Sequence, residues 1–328
     1  MPMVQAFVFG KFLPFHRGHE AMIRFARGHC DRLNVLICAS DREHIPGEVR
    51  RQWLAATFPP DSGINIQVFD YRESDFPNTS VSSREVSAIW SALFRQLFPD
   101  VQLLVTSEPY GDYVAGYMGI RHLAFDPGRQ QVPVSATEIR RNISDYWSFL
   151  PDVVKPYFVQ KVAILGTEST GKSTLAQYLA QTHRCTLVTE AGRDIVTNST
   201  NCTLEQLYEI AREHARRIEQ AQRGPHALVI LDTDIHITQS YARYFFGQYL
   251  SISPEIWAVN RAQQYLYLTK DVPYHQDGTR LNETERNALD LSHRNTLKEY
   301  GILYTEIAGN WSERHRAASN IVAQFWRC

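Results

Sequence analysis

The segment GTESTGKS, Gly166 to Ser173, constrains the fold of this chain more than any other stretch. It matches the pattern G-x-x-x-x-G-K-[ST] throughout, follows an apolar run of strand length and precedes a helix-like segment. Glycines in this pattern let backbone N–H groups wrap a chain of phosphates, and the helix N-terminus adds a positive field. The motif therefore predicts a strand–loop–helix corner that binds a nucleoside triphosphate.

Apolar runs of strand length alternate with helix-like segments along the chain, and this alternation predicts parallel sheets flanked by helices. The predicted strands are 4–10, 33–39, 64–69, 102–106, 161–165, 186–189, 227–231, 265–269 and 302–307. The predicted helices are 19–29, 49–58, 84–97, 173–183 and 203–223. Pro151 and Pro156 interrupt the pattern, so we predict two doubly wound α/β domains, residues 1–156 and 157–328.

Composition excludes several classes of protein. The formal net charge of -1 over 328 residues gives no general affinity for nucleic acid. Five cysteines without a CxxC pair are typical of reduced thiols, and neither a signal peptide nor a membrane-spanning apolar run is evident. We expect a cytoplasmic protein with neither a membrane nor a nucleic acid as partner. The sequence leaves the oligomeric state open, a homo-oligomer included.

The glycine-rich loop and the two residues that follow its lysine are assigned to ATP binding: Gly166, Thr167, Glu168, Ser169, Thr170, Gly171, Ser173 and Thr174. Lys172 is expected to reach the β- and γ-phosphates, and Ser173 to bind Mg²⁺. In ALVILDTD, Asp232 ends a predicted strand, where it could order Mg²⁺ or accept a proton from an attacking hydroxyl. Asp234 either shares this role or caps the next helix.

Further candidates surround this loop. Glu190 and Arg193 follow a predicted strand in VTEAGRDIV and are expected to bind the phosphoryl acceptor. The basic segment QDGTRLNETER is a candidate lid over the phosphates, with Arg280 in contact with ATP, whereas Arg286 could instead lie on a solvated helix face. Trp311 is a candidate adenine contact, with a core tryptophan as the alternative. The short half, the basic lid and the absence of an NKxD signature favour a small-molecule kinase.

The first half carries a second phosphate-binding candidate in VFGKFLPFHRGHE. Gly10 is expected to let the chain turn sharply off the first strand, and Gly18 to let the ATP backbone come close. His16 and His19 would donate to α- and β-phosphate oxygens at a helix N-terminus, and Lys11 adds charge. A metal-binding histidine pair is the alternative, but no third ligand cluster lies nearby in sequence.

The segment VSATEIRRN provides a second signature in the same half. Ser135, Thr137 and Arg140 match S-x-T-x-x-R, a pattern in which hydroxyls hold phosphates and the guanidinium clamps them; a capped helix is the alternative. Together with His-x-Gly-His, this pattern resembles the nucleotidyltransferase superfamily. That chemistry needs positioning and charge stabilisation while a phosphate attacks the α-phosphorus and pyrophosphate leaves.

The order of the two halves resembles the NadR-type bifunctional proteins of NAD salvage, and segments such as ICASDREHIPGEVR, TSEPYGDYVA and VTEAGRDIV read like that family. The resemblance implies a nucleotidyltransferase domain of Rossmann-like fold that makes NAD from nicotinamide mononucleotide (NMN) and ATP. It also implies a P-loop kinase that makes NMN from nicotinamide riboside and ATP, with Mg²⁺ as cofactor. Because the nicotinamide ring is cationic, Glu108 and Tyr110 beyond the fourth strand are expected near the NMN.

One departure from that family concerns DNA binding. Some relatives begin with a helix-turn-helix repressor domain, whereas this sequence starts at the first strand, so we expect no operator binding. Two alternatives stay open at this point: a protein in which only the kinase half is active, and a P-loop regulatory protein that senses a nucleoside triphosphate.

Overall fold

The computed structural model describes residues 3–78, 83–196, 202–274 and 281–327. The chain divides into two compact units, Met1–Val154 and Lys155–Cys328. The division lies between residues 154 and 155, next to the interruption by prolines from which the sequence predicts a boundary between residues 156 and 157. Each unit contains its own parallel sheet, so each is described separately.

The described part of the first unit is a five-stranded parallel sheet in the order β3-β2-β1-β4-β5. Its strands are β1 (Gln5–Gly10), β2 (Arg32–Ser40), β3 (Ile64–Tyr71), β4 (Leu103–Thr106) and β5 (Arg121–Ala124). The helices between and after them are α1 (Arg17–Arg27), α2 (Gly47–Thr57), α3 (Arg84–Leu97), α4 (Tyr110–Met118) and α5 (Ala136–Arg141). The chain order reverses between β1 and β4, the point at which open α/β sheets bind ligands.

Aromatic packing forms the core of the first unit. Phe7 of β1 is fully buried and stacks edge-on against Phe94 of α3, with ring centroids 5.4 Å apart. Trp90, Phe98 and Leu104 belong to the same buried cluster. Phe7 and Leu104 are partners in the pairing of β1 with β4, so the cluster holds α3 against these two neighbouring strands.

The described part of the second unit is a five-stranded parallel sheet in the order β10-β9-β6-β8-β7. Its strands are β6 (Gln160–Leu165), β7 (Thr186–Val188), β8 (Leu228–Asp232), β9 (Gln264–Leu268) and β10 (Thr305–Ile307). Its helices are α6 (Lys155–Phe158), α7 (Lys172–Thr182), α8 (Gly192–Ile195), α9 (Leu204–Gln222), α10 (Ile235–Phe246), α11 (Pro254–Asn260), α12 (Glu283–Glu299) and α13 (Trp311–Arg327).

Local signals in the sequence explain several of these elements. The sequence predicts a capping box at Thr203 and Gln206, and the structure confirms it at the start of α9. Val162 and Ile164 of β6 pack with Leu175 and Leu179 of α7 in one buried cluster, so the strand and helix on either side of GTESTGKS are locked together. That packing fixes the loop between them.

The structure confirms the predicted fold class, two parallel sheets with flanking helices. β5 was not predicted, because its four residues, RHLA, contain no apolar run. None of the described helices is long and apolar enough to cross a membrane.

Candidate functional site

The loop between β6 and α7 has backbone conformations that suit glycine. Gly166 has φ 139° and Gly171 has φ 87°, and a Cβ on Gly166 would lie 2.8 Å from the Leu268 carbonyl oxygen. Ser169 lies between them with φ 57°. Left-handed positions within a short loop are typical of backbone N–H nests that bind phosphates.

Charged side chains meet at the start of α7. Lys172 is buried, and its Nζ donates to the Thr167 carbonyl at 3.0 Å. Asp232, at the end of β8, is 3% exposed and accepts a hydrogen bond from Ser173, whereas its Oδ1 has no partner among the described residues. Burial, together with the Glu190 carboxylate, raises the pKa of Asp232 against the opposing effect of Lys172. An unpartnered carboxylate oxygen beside a hydroxyl is a donor set that suits Mg²⁺.

Glu190 and Arg193 lie beside Ser173 and Asp232, as their position after β7 predicts. Arg193 Nη2 donates to Ser173 Oγ at 2.6 Å, and its Nε donates to Glu190 Oε2 at 3.2 Å. Asp232 is near enough to both for their charges to affect its pKa. The structure therefore brings these two residues to the phosphate loop, while their contact with an acceptor stays a prediction. Thr174 is exposed on α7.

Trp311 lies directly on the loop rather than in the core, because a Cβ on Gly171 would be 2.1 Å from its Cη2 atom. The tryptophan is 42% exposed. It borders a cavity of about 740 Å³, which Asp271 and Pro273 also line. This cavity opens beside the phosphate loop and has room for the base and sugar of a nucleotide.

Behind Trp311, sequence reasoning missed Arg314, whose side chain is fully buried. It pairs with Asp271 and donates to three backbone carbonyls: Thr170 at 2.8 Å, Gly309 at 2.8 Å and Thr269 at 3.0 Å. A guanidinium can be buried without loss when backbone carbonyls and a carboxylate satisfy its donors. Arg314 therefore supports the loop from behind, and nothing in the sequence distinguishes it from the exposed Arg316 of the same helix.

Gly171→Ala is expected to lower the affinity for an ATP analogue about tenfold or more, because a Cβ would displace Trp311 and also strain the loop. Gly247→Ala is the matched control. Gly247 has a similar φ of 67°, but a Cβ there would meet nothing within 4 Å. Calorimetric titration with AMP-PNP measures the loss of affinity, and thermal unfolding measures the loss of stability that backbone strain causes. Equal affinity loss in both variants would show that the contact with Trp311 is irrelevant.

The interpretation of Arg286 as a residue on a solvated helix face is wrong. Arg286 is 2% exposed, and its Nε donates to the Glu168 carbonyl at 3.0 Å. The side chain of Glu168 accepts from Tyr241 Oη and from the Leu281 amide, both at 3.1 Å. Arg280 lies outside the described residues.

Asp234 is an N-cap. Its carboxylate accepts from the backbone amides of His236 and Ile237 at the start of α10, so the capping interpretation is confirmed.

In the first unit, the two predicted histidines stack on each other, with ring centroids 3.7 Å apart. His16 is the N-cap of α1, and its Nδ1 accepts from the Gly18 amide at 3.1 Å, which leaves the ring proton on Nε2. His19 Nδ1 is buried without a partner among the described residues. Burial and the charges of Arg129 and Arg140 lower the pKa of His16 to about 3, and burial with His16 lowers the pKa of His19 well below its ordinary value. Both rings are therefore neutral N–H donors.

The turn after β1 differs from the prediction. Gly10 is not among the described glycines with positive φ; Phe12 has the left-handed backbone, with φ 50°. The sharp turn therefore falls two residues later, and Phe12 is buried there. Lys11 pairs with Glu43 at 2.9 Å, and the buried Arg50 donates to the Lys11 carbonyl at 2.7 Å. Gly18 is a close approach, because a Cβ there would lie 3.0 Å from the His16 ring.

The second signature lies at α5. Ser135 is its N-cap in a full capping box with Glu138, so the capped-helix interpretation is confirmed for this residue. Arg140 donates to the Thr137 hydroxyl at 3.1 Å and to the Leu13 carbonyl. Since these partners are neutral, the charge of Arg140 stays available beside the histidine pair.

Sequence reasoning also missed Arg129. Its guanidinium donates to Glu108 Oε1 at 2.9 Å and lowers the pKa of both histidines. Asp126 organises the loop by accepting three backbone amides, from residues 130, 131 and 132. Glu108 thus holds an arginine at the site, and Tyr110 packs against Phe9 with centroids 5.5 Å apart. Their contact with NMN stays a prediction.

The histidines also predict a pH dependence of stability. The unfolded chain, with a histidine pKa near 6.5, binds more protons than the folded unit, in which the pKa of His16 is about 3. The contribution of His16 is therefore fully present above pH 6.5 and is lost as the pH falls toward 3. NMR titration of the imidazole signals should show that both rings stay neutral through the ordinary histidine midpoint near pH 6.5. A midpoint at the ordinary value for either ring would contradict its assignment as a neutral donor.

No cluster of three or more His, Cys, Asp or Glu side chains that could hold a metal ion occurs among the described residues. Metal binding by protein ligands alone therefore has no support within that part of the chain. Ser173 and the free oxygen of Asp232 suit an ion that takes its remaining ligands from phosphates and water.

Known proteins with similar sequences and folds exist for both halves. A family model described as an AAA domain matches residues 161–314. The trifunctional NAD biosynthesis/regulator protein NadR of Escherichia coli (strain K12) is 29% identical over 294 residues, which cover 83% of this chain and 70% of that protein.

Two solved NadR structures share the fold over nearly the whole chain. One, in complex with NAD and AMP-PNP, has a TM-score of 0.70 at 20% identity and covers 99% of this chain and 97% of its own. The other, in complex with NR, has a TM-score of 0.69 at 18% identity and covers 98% and 96%.

Proposed function

Because the chain is homologous to NadR, we propose that it is a bifunctional enzyme of NAD salvage. The second unit phosphorylates nicotinamide riboside with ATP and yields NMN. The first unit then transfers the adenylyl group of a second ATP to NMN and yields NAD and pyrophosphate. The proposal is supported by two separate strand-to-helix corners that suit phosphate binding, each on its own parallel sheet, in a homologue of a protein named for NAD biosynthesis.

In the second unit, the backbone amides of residues 166–171 and the start of α7 bind the ATP phosphates. Lys172 contacts the β- and γ-phosphates and offsets the charge that spreads over the transferring group. Ser173 and Asp232 would hold Mg²⁺, which would supply positive charge to offset that of the phosphates. The alternative role of Asp232, whose pKa burial raises, is to accept the proton of the attacking hydroxyl through its unpartnered oxygen in place of holding the ion. Trp311 flanks the adenine at the edge of the cavity.

The riboside binds at the end of β7. Glu190 lies 3.2 Å from Arg193 and close to Asp232, so its carboxylate can accept from ribose hydroxyls while the attacking hydroxyl faces the γ-phosphate. The cationic pyridine ring is attracted by this acidic corner. A solved NadR structure in complex with NR supports this choice of nucleoside.

In the first unit, catalysis requires only positioning and charge. His16 and His19 donate neutral N–H groups to α- and β-phosphate oxygens, and Arg140 clamps the pyrophosphate that leaves. Lys11 adds a cation beside the turn after β1. NMN lies near Glu108 and Tyr110, so its phosphate faces the α-phosphorus. The NadR structure in complex with NAD and AMP-PNP supports a dinucleotide product.

The test uses the full chain with ATP, Mg²⁺ and a panel of nucleosides, followed by mass spectrometry. Nicotinamide riboside should be converted first to NMN and then to NAD, and NMN alone should also be converted to NAD. Release of phosphate with no modified nucleoside would indicate a nucleotide-sensing protein instead. Accumulation of NMN without NAD would show that only the kinase unit is active.

A further inference from the structure

The Ser173 hydroxyl is shared by two groups of opposite charge. Arg193 Nη2 donates to Ser173 Oγ at 2.6 Å, a short and therefore strong contact, and Ser173 is hydrogen-bonded to the Asp232 carboxylate. Glu190 holds the same guanidinium at 3.2 Å through Nε. Arg193 is consequently fixed at the corner where the phosphate loop meets β8.

This corner is also the position that suits a divalent cation. Asp232 is 3% exposed, and its Oδ1 has no partner among the described residues, so the carboxylate has an acceptor site to offer. A Mg²⁺ ion on Ser173 Oγ at its ordinary distance of about 2.1 Å would lie only a few ångströms from the guanidinium. Two cations at that separation, with Lys172 as a third nearby, repel each other in a partly buried site.

Arg193 can leave this position without unfolding the unit. The Arg193 side chain is 61% exposed. Glu190 contacts it only through Nε of the guanidinium. Movement of the guanidinium away from Ser173 therefore requires rotation of one exposed side chain. The ion pair with Glu190 keeps it within reach of the acceptor side.

We propose that the Arg193 guanidinium and the divalent cation compete for the Ser173 hydroxyl. Arg193 occupies this hydroxyl when the site is empty and must move away from it when the metal–nucleotide complex binds. Arg193 is thus a positioning residue that sets the metal requirement of the second unit. The proposal rests on the proposed kinase function and extends it to the control of metal binding.

The experiment measures Mn²⁺ binding by electron paramagnetic resonance at a saturating concentration of AMP-PNP. Arg193→Gln removes the competing charge and should bind Mn²⁺ at least about fivefold more tightly than the unaltered protein. Arg212→Gln is the matched control, because Arg212 is also exposed and paired with a glutamate, Glu205, yet lies on α9. A gain in metal affinity is not what structural damage would produce. Arg193→Lys keeps the charge and should stay close to the unaltered protein.

A second pair of variants isolates the contested hydroxyl. In a Ser173→Ala background, Arg193→Gln should raise Mn²⁺ affinity by clearly less than it does in the unaltered protein, because the hydroxyl that holds the guanidinium at the metal position is gone. Lys172→Ala weakens nucleotide binding by the second unit, so the Mn²⁺ signal that remains in this variant comes from the first unit. Equal Mn²⁺ affinity for Arg193→Gln and the unaltered protein would overturn the inference alone. If the unaltered protein and Lys172→Ala gave the same Mn²⁺ signal, the second unit would not bind the metal–nucleotide complex, and the proposed kinase function itself would be overturned.

Discussion

Lys172→Ala is expected to slow the phosphorylation of nicotinamide riboside on the order of 10³-fold and to leave adenylyl transfer unchanged. Lys172 is the buried cation of the phosphate loop, bonded through Nζ to the Thr167 carbonyl, and its loss removes positive charge where negative charge develops. Two separate assays measure this: formation of NMN from the riboside, and formation of NAD from supplied NMN.

The control for this variant is Lys298→Ala, which removes an exposed lysine from the same unit. It should leave both rates unchanged. If Lys172→Ala abolished both activities in a protein with unaltered thermal unfolding, two independent sites would be the wrong model. If it left riboside phosphorylation intact, the loop would not be the site of phosphoryl transfer.

His19→Ala should produce the opposite result. We expect adenylyl transfer to fall about 10²- to 10³-fold, because the variant removes one neutral donor and also the ring that stacks on His16 at 3.7 Å. Riboside phosphorylation should continue at its ordinary rate. With riboside and ATP supplied together, NMN should therefore accumulate, which a single chromatographic run can quantify.

His29→Ala tests whether any histidine near α1 would have the same effect. His29 is exposed just beyond the helix and contacts Phe25 rather than the histidine pair. Both activities should survive this change. An unchanged rate of NAD formation in His19→Ala would remove the first histidine motif from the mechanism, whatever the second unit does.

Much of the fold follows from the sequence because parallel strands are buried and therefore apolar. β6 reads QKVAIL and β8 reads LVILD, runs that are hard to interpret as anything but buried strands. Edge strands are harder to detect. β5 has only four residues, RHLA, none of them fully buried, and its identity depends on pairing with β4, which no local pattern reports.

In the candidate sites too, motifs of consecutive residues can be predicted from the sequence, whereas contacts between distant segments cannot. The phosphate loop and the histidine motif are local, because their glycines and helix starts are written in consecutive residues. The arginines are not. Arg314 and Arg286 look like surface residues in sequence, yet both are buried and donate to backbone carbonyls of distant segments. Arg129 is placed by Asp126, whose three amide contacts depend on the folded loop.

The bond between Arg314 and the Thr170 carbonyl joins residues 144 positions apart. During synthesis, the phosphate loop therefore leaves the ribosome long before the side chain that supports it. The histidine motif and Arg140, by contrast, both lie in the first unit, which ends at residue 154. A nascent chain halted before residue 314 would carry every candidate residue of the first unit, whereas the phosphate loop of the second unit would still lack the side chain that supports it.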